Sequence, residues 1–162
     1  MIRPAEKQDL AAIRSIAERT DMFLGDELAA FTAELAAHLN ADDDAARSDA
    51  GLIVAVNGES DASPVIGAAY FAPETMAQGV MNLLFIGVAP EARRVGAGRS
   101  MLGHFEGVAR AGGARLAIIE TAGDAMFAPA WALYRNAGYE EAARIRDYYD
   151  DDLDKLIFRK PI

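Results

Sequence analysis

The residues best suited to chemistry lie in one segment rich in glycine and arginine, which runs from Val88 to Ser100 between an apolar run and a helical pattern. Glycines such as Gly96 and Gly98 let a backbone approach an anion closely, and the first amides of a following helix have no acceptor within that helix. Those amides carry partial positive charge. Full charges would come from three arginines, Arg93, Arg94 and Arg99. The segment therefore predicts a site for phosphate, and a diphosphate matches so many donors best.

Two common nucleotide-binding motifs resemble parts of this segment. A P-loop needs a second glycine where this chain has Arg93, and a lysine after the glycine that is Gly98 here. A dinucleotide-binding fingerprint would use Gly96 and Gly98, with Glu120 as the ribose-binding acid, but Met101 occupies the third glycine position. The chain beyond Glu120 is also too short for a second mononucleotide-binding half. The P-loop is excluded, whereas a nicotinamide-binding fragment remains an alternative, and it predicts retention of NAD.

A further interpretation depends on two motifs. Residues Arg93 to Gly98 match the pattern Arg/Gln-x-x-Gly-x-Gly/Ala, and they follow an apolar run and a Val-x-Pro turn at 88–90. The segment from Ala130 to Tyr139 has a helical tyrosine, Tyr134, before a Gly-aromatic pair. In these motifs, their order and their separation, the chain resembles the GNAT superfamily of N-acetyltransferases over nearly its whole length. The resemblance implies an acyl-CoA-dependent N-acetyltransferase that moves an acetyl group from acetyl-CoA to an amine.

The same resemblance implies where acetyl-CoA binds. The backbone of the apolar run should bind its pantetheine arm, and the turn and helix start that follow should bind its diphosphate. The residues concerned are Ile86, Gly87 and Val88 for the arm, and Arg93, Arg94, Val95, Gly96, Ala97, Gly98, Arg99 and Ser100 for the diphosphate. A backbone amide of a bulged strand, at Val88 or its neighbour, is the expected donor to the oxyanion. We expect no metal site.

The transfer itself needs a proton acceptor, because a primary amine with a pKa near ~10.4 is mostly protonated at neutral pH. The departing thiolate has a pKa near that of cysteine, ~8.5, so a hydrogen bond is enough to ease its departure. The resemblance assigns that hydrogen bond to Tyr134. Many members of the superfamily carry a carboxylate on the strand corresponding to 80–88, where this chain has Asn82. Glu120 is the first candidate base; the others are Glu74, Asp26, Glu27 and Asp124, and a water chain could serve instead.

Hydrophobic periodicity outlines the elements that must position these residues. Ile2 and Arg3 form a short first strand, and Asp9 is placed to cap a helix with apolar residues at helical spacing. An acidic loop is expected at 41–49. Further strands are predicted at 52–56, 65–71, 80–88, 116–119, 139–145 and 155–159, and further helices at 26–40, 98–111 and 129–136.

The fold class that follows is α/β (α+β), with a mixed, mostly antiparallel central sheet of six to seven strands flanked by helices, as one domain over 1–162. Turn residues between 56 and 65 favour an antiparallel pair. The run 80–88 is apolar enough to be buried on both faces, and its crossover to 116–119 predicts a right-handed parallel unit. The resemblance implies that this parallel pair is splayed. The segment 144–152 is either a charged hairpin loop or part of the acceptor site.

Composition excludes several classes of protein. The chain has no cysteine, so disulfides and a cysteinyl intermediate are excluded. A net charge of −9 opposes binding to the negatively charged backbone of nucleic acid and attracts a cationic acceptor. No apolar run reaches the roughly 20 residues of a membrane span, and the first residues do not look like a signal peptide. We therefore predict a cytoplasmic protein with neither a membrane nor a nucleic-acid partner, and analogy with the superfamily allows a homodimer.

The acceptor stays open at this level. A polyamine, an amino acid, an aminoglycoside and a protein N-terminus are all compatible with the sequence. A CoA-binding sensor or interaction module without turnover is the alternative function, because the strand carboxylate is missing.

Overall fold

The computed structural model describes residues 1–23, 25–41 and 50–162, and within them a seven-stranded sheet is the central feature. Its strands are β1 (Ile2–Pro4), β2 (Gly51–Val56), β3 (Val65–Pro73), β4 (Val80–Val88), β5 (Leu116–Ala122), β6 (Glu140–Asp150) and β7 (Leu153–Pro161). The order across the sheet is β1-β2-β3-β4-β5-β7-β6. Neighbouring strands are antiparallel except for the parallel pair β4 and β5. The predicted fold class is confirmed.

Helices cover both faces of this sheet. They are α1 (Leu10–Glu18), α2 (Glu27–Asn40), α3 (Ala97–Ala111) and α4 (Ala128–Asn136), with short 3-10 turns at Lys7–Asp9, Pro90–Ala92 and Ala125–Phe127. Successive side chains of β2 enter opposite layers, as the strand period of two requires. Ile53 belongs to the cluster that contains Phe105 of α3, and Val54 to the cluster that contains Ile13 of α1. No helix of the described residues is long and apolar enough to span a bilayer.

The parallel pair separates halfway along β4. Residues Val80–Leu83 pair with Leu116–Ile119, and the later residues of β4 have no partner on β5. At the same point the register between β3 and β4 shifts, so Leu84 has no partner on β3. This bulge reverses the alternation of side chains, because Leu83 lies in the α3 layer and Phe85 in the α1 layer. The expected splay of the parallel pair is confirmed, and it leaves the second half of β4 open on one side.

The predicted helix cap at Asp9 is wrong. Asp9 precedes α1, but its carboxylate makes no capping hydrogen bond to that helix. It accepts from the guanidinium of Arg3 at 2.7 Å and from the amide of Glu6 at 2.8 Å, and both charged side chains are buried. Burial opposes the charge of Asp9, but the hydrogen bonds from Arg3 and from the amide of Glu6, together with the charge of Arg3, outweigh it, so the pKa of Asp9 is lowered. A buried guanidinium without a counter-charge costs more free energy than a helix end without a side-chain cap, so Asp9 pairs with Arg3.

The last hairpin is longer than predicted. Strands were expected at 139–145 and 155–159, whereas β6 continues to Asp150 and the connecting turn is only Asp151–Asp152. Every residue of β6 is exposed, so burial imposes no alternation on its sequence, and Asp147 interrupts it with a φ of 52°. The run 80–88 is buried as expected except at Ile86 and Val88, which are partly buried, and at Leu84, which is 44% exposed at the bulge. The loop expected at 41–49 lies, apart from Ala41, outside the described residues.

Candidate functional site

Two cavities adjoin where β4 and β5 part, and they share the lining residues Met22, Thr121, Met126 and Phe127. The first has a volume of about 570 Å³ and is called the arginine cavity, because Arg93, Arg94 and Arg99 line it. The second has a volume of about 600 Å³ and is called the carboxylate cavity, because Asp21, Glu27, Glu34, Glu120 and Asp124 line it. Among the described residues, the first lining contains no acid and the second no lysine or arginine.

The arginine cavity collects most of the residues that the sequence analysis assigned to acetyl-CoA. Nine of them line it: Ile86, Gly87, Val88, Arg93, Arg94, Gly96, Ala97, Gly98 and Arg99. Two do not. The side chain of Val95 is 68% exposed, and the amide of Ser100 donates to the carbonyl of Gly96 at 2.9 Å, as the first hydrogen bond of α3.

The start of α3 supplies main-chain donors to this cavity. Because Ser100 makes the first helical hydrogen bond, the amides of residues 97–99 precede it and have no acceptor within the helix. Gly96, the residue before the helix, has a φ of 87°, a left-handed conformation that favours glycine. A Cβ at Gly96 would have no atom within 4 Å, so the backbone conformation and not lack of space is what favours glycine there. The described lining of the arginine cavity thus combines three arginines with three residues whose amides have no acceptor in the helix, and includes no acid, which suits a diphosphate.

The open half of β4 supplies donors and acceptors of its own. The amide of Ala89 donates to the carbonyl of Ile66 in β3 at 2.9 Å, so it points toward β3. Successive amides of a strand point to opposite sides. The amides of Val88 and, two residues earlier, Ile86 therefore point away from β3 and into the gap beside β5. An extended chain could pair with β4 there as an extra strand would.

Tyr134 lies in the wall of the arginine cavity near the open half of β4. It is 4% exposed, and its ring contacts Tyr139 and Phe158 with centroids 6.4 and 5.5 Å away. Burial raises the pKa of Tyr134 well above the ordinary tyrosine value. Its hydroxyl is therefore protonated at neutral pH and can act as a hydrogen-bond donor.

The carboxylate cavity is apolar between its acids. Phe23 and Phe31 both line it, and their rings stack with centroids 4.7 Å apart. Tyr149 of β6 lines it as well, whereas Tyr148 lies over the ammonium of Lys155, with its ring centroid 4.3 Å from the nitrogen. The segment 144–152 thus contributes one of its two tyrosines to this cavity.

Glu120, the first candidate base, lines the carboxylate cavity and forms an ion pair with the ammonium of Lys155 through Oε2. Burial opposes the charge of Lys155, but the hydrogen bond and the charge of Glu120, with smaller contributions from Tyr148 and Tyr149, outweigh it, so the pKa of Lys155 is raised. Glu120 is next to Thr121, which lines both cavities. The structure thus brings Glu120 close to the junction of the cavities, but with a cation already bound to it.

The remaining candidate bases divide between the cavity and its surroundings. Glu27 and Asp124 line the carboxylate cavity, and Asp124 also accepts the amide of Met126 at 2.8 Å. Glu74 and Asp26 line neither cavity. Glu74 instead accepts a hydrogen bond at 2.7 Å from Nδ2 of Asn82, which does line the carboxylate cavity. Among the described residues, no group of three or more histidines and acids is placed to hold a metal ion.

Two of the five acids, Asp21 and Glu34, were not among the residues predicted from the sequence. Glu34 could have been found, because Glu27, Ala30, Phe31 and Glu34 have helical spacing and so share one face of α2. Asp21 gives no such signal. It lies between helices with a φ of 55°, and only the packing of α1 against the sheet brings it to the cavity.

Comparison with known proteins identifies the family to which the chain is similar. Residues 13–139 match the model of the acetyltransferase (GNAT) family. No curated protein matches the chain. Among solved structures, the chain is similar to a Desulfovibrio desulfuricans protein assigned as an acetyltransferase of the GNAT family, with 27% identity, a TM-score of 0.86, and 99% of this chain and 98% of that chain covered.

Two further solved structures show the same fold at lower identity. One is the ribosomal-protein-S18-alanine N-acetyltransferase of Escherichia coli, with 24% identity, a TM-score of 0.74, and 100% of this chain and 93% of that chain covered. The other is yncA of Salmonella typhimurium, solved with its cofactor acetyl-CoA, with 19% identity, a TM-score of 0.73, and 99% and 92% covered. At these identities the likeness concerns the fold alone.

Proposed function

The chain belongs to the acetyltransferase (GNAT) family, and from that premise we propose that it transfers an acetyl group from acetyl-CoA to the primary amine of a small molecule or peptide. The transfer is direct and takes place in a ternary complex. The chain has no cysteine, so no cysteinyl thioester can carry the acetyl group. The proposal therefore requires both substrates to be bound at once.

The observation that carries this proposal is the opposite charge of the two adjoining cavities. The arginine cavity offers three guanidinium groups and the first amides of α3, and its described lining has no acid. These residues fit the phosphates of CoA. The carboxylate cavity offers five acids and, in its described lining, no lysine or arginine. Such a surface attracts a protonated amine. Thr121 and Met126 line both cavities, so the thioester and the amine would meet beside them.

The open half of β4 would orient the thioester. In this proposal the amides of Ile86 and Val88 bind the pantetheine arm, as an added strand would be bound. A β4 amide beside the bulge at Leu84 donates to the carbonyl oxygen as negative charge develops on it. The diphosphate is held by the start of α3 and by Arg93, Arg94 and Arg99.

Proton transfer accompanies the exchange of bonds. The amide C–N bond forms, the thioester C–S bond breaks, and the ammonium loses two protons in all, one of which ends on the thiol and the other in solvent. Tyr134 donates a hydrogen bond to the departing sulfur from its place in the wall of the arginine cavity. Glu120, at the junction of the cavities, receives a proton from the amine directly or through water, with Lys155 as its counter-ion.

The test is release of free thiol from acetyl-CoA in the presence of a panel of primary amines, together with calorimetry of CoA binding. We expect CoA to bind and thiol to be released only when an amine is present. Binding without release for any amine would identify the chain as a CoA-binding sensor or interaction module. A chain that ignored CoA and retained NAD would contradict the whole assignment.

The role of Glu120 has its own test. Glu120→Gln should lower kcat about a hundredfold or more, because general-base catalysis contributes about that much. Glu141→Gln is the matched control, because Glu141, like Glu120, forms ion pairs, here with Arg135 and Arg144, but lines neither cavity. An unchanged kcat in Glu120→Gln would assign proton removal to water.

A further inference from the structure

Asn82 is a buried polar side chain in the wall of the carboxylate cavity. It lies on β4 and is 4% exposed. Its Oδ1 has no hydrogen-bond partner among the described residues. A buried acceptor without a partner costs free energy, and an acceptor beside a cavity can recover that cost from a ligand. Asn82 therefore marks a place where a bound molecule should present a donor.

The orientation of the Asn82 amide is fixed by Glu74. Nδ2 of Asn82 donates to Oε1 of Glu74 at 2.7 Å. Because a carboxylate accepts hydrogen bonds and an amide nitrogen donates them, this contact decides which end of the amide is the nitrogen. Glu74 is itself held beside β4, since its backbone amide donates to the carbonyl of Val80 at 2.9 Å. Oδ1, the acceptor, therefore points away from Glu74.

Asn82 shares one face of the sheet with Glu120. It is in register with Ile118 of β5, and partners in register direct their side chains to the same face. Glu120, two residues after Ile118, lies on that face as well, and both Asn82 and Glu120 line the carboxylate cavity. The bulge at Leu84 is only two residues, or roughly 7 Å, further along β4. Oδ1 is thus close to the proposed base and to the proposed place of bond formation.

A primary amine supplies a donor that fits this acceptor. When its nitrogen attacks the thioester, it carries two hydrogens. One leaves as a proton, to Glu120 or to water, and the other stays as the N–H of the amide product. The hydrogen that stays can donate to Oδ1 before, during and after formation of the C–N bond. A secondary amine has only the hydrogen that leaves, so its product would give Oδ1 no donor.

A neutral oxygen suits this position better than a carboxylate would. Nearby carboxylates favour the protonated form of an amine, which cannot attack. Oδ1 of Asn82 accepts an N–H without carrying a full charge. The nitrogen can therefore be held from β4 while Glu120, on the neighbouring strand, takes the proton.

We propose that Oδ1 of Asn82 accepts a hydrogen bond from the N–H that the attacking nitrogen keeps, and that this contact selects primary over secondary amines. The inference deepens the proposed function and rests on it. Asn82 contacts the reacting nitrogen, whereas Glu74 is a positioning residue that acts through Asn82. The C–N bond forms, the C–S bond breaks and the protons leave as given above, and Asn82 exchanges no proton.

The experiment compares primary amines with their N-methyl derivatives: n-butylamine with N-methylbutylamine, and glycinamide with sarcosinamide. The selectivity ratio is kcat/KM for the primary amine divided by kcat/KM for its N-methyl derivative. Asn82→Leu keeps the size of the side chain, removes the acceptor, and should lower the selectivity ratio about tenfold, the effect of one buried hydrogen bond. Damage to packing would slow both amines alike and so cancel in the ratio. Calorimetry of CoA binding shows that each variant is folded.

A second variant separates the hydrogen bond from steric exclusion. Asn82→Ala should lower the selectivity ratio as Asn82→Leu does, whereas a fall in the alanine variant alone would show selection by size and overturn the inference. Asn57→Leu is the control, because Asn57 is exposed and lines neither cavity. A wild-type ratio in both Asn82 variants would refute the inference and leave the proposed function intact. Acetylation of no amine, with CoA bound, would refute the proposed function.

The positioning role of Glu74 is tested without a change at Asn82. Glu74→Ala should lower the selectivity ratio by a smaller factor, because the amide of Asn82 can then turn and present Nδ2. Glu74→Gln should restore the ratio, since its side-chain oxygen still accepts from Nδ2. Glu59→Ala, at an exposed acid that lines neither cavity, is the control. A wild-type ratio in Glu74→Ala would overturn the positioning role.

Discussion

Replacement of Tyr134 by phenylalanine removes one hydroxyl from the wall of the arginine cavity and leaves the packing of the ring in place. The ring is 4% exposed and keeps its contacts with Tyr139 and Phe158. The hydroxyl can contribute at most about one hydrogen bond to the folded state, so its removal should cost less than about 1.5 kcal/mol of stability. The variant should therefore fold, so that a change in rate reports on chemistry.

The size of the change in rate follows from the state of the hydroxyl. Burial raises the pKa of Tyr134, whereas the CoA thiolate resembles that of cysteine, so full proton transfer to the sulfur is unfavourable and a hydrogen bond is what Tyr134 can give. A hydrogen bond to a charged group contributes about 1.5–3 kcal/mol. At about 1.36 kcal/mol per factor of ten in rate, kcat of Tyr134→Phe should fall about ten- to 150-fold.

The assay is steady-state thiol release at saturating acetyl-CoA, repeated across neutral pH. The ratio of the wild-type kcat to that of Tyr134→Phe should be constant with pH, because a hydroxyl whose pKa lies far above the assay range does not titrate within it. Tyr139→Phe is the matched control, since Tyr139 is equally buried beside Tyr134 but lines neither cavity. A kcat for Tyr134→Phe equal to that of the wild type would refute the assigned role, and an equal loss in Tyr139→Phe would show that the effect is structural.

Three further predictions concern binding and stability. Arg99→Ala should weaken CoA binding about fivefold in calorimetry, as a solvated ion pair would, whereas Arg110→Ala at the other end of α3 should not. Gly96→Ala should lower the free energy of unfolding by about 1–2 kcal/mol because of its left-handed backbone, whereas Gly103→Ala inside α3 should raise it in the same urea titration. Asp9→Asn should cost about 3–5 kcal/mol, because a buried guanidinium loses its counter-charge. Because folding lowers the pKa of Asp9, the stability that its ionised form contributes is fully present at neutral pH. This contribution should be lost as the pH falls below about 3.9 and through the folded pKa, which urea midpoints measured at a series of pH values would show. An unchanged urea midpoint in Gly96→Ala or in Asp9→Asn would contradict the stability predictions. An equal loss of CoA affinity in Arg99→Ala and Arg110→Ala would contradict the binding prediction.

The elements that carry the site were predictable because burial constrains their sequences. The strand 80–88 was predicted with the bounds that β4 has, and the helix at 98–111 with an error of one residue at its start. Both pack into the core, so their apolar residues repeat with the period of the element. β6 was predicted poorly because all of its residues are exposed and its sequence carries no such period.

The sequence by itself determined the family and the fold class and indicated a candidate phosphate-binding segment, because these depend on local features: glycines and arginines in one turn, and apolar residues at a regular spacing. Only the tertiary structure decided how the charges are distributed. It placed three arginines in one cavity and five acids from several segments in the next, paired Glu120 with Lys155, and, among the described residues, left Oδ1 of Asn82 without a partner. Such contacts join residues far apart in the chain, and their energies depend on distance and burial, which no local pattern in the sequence records.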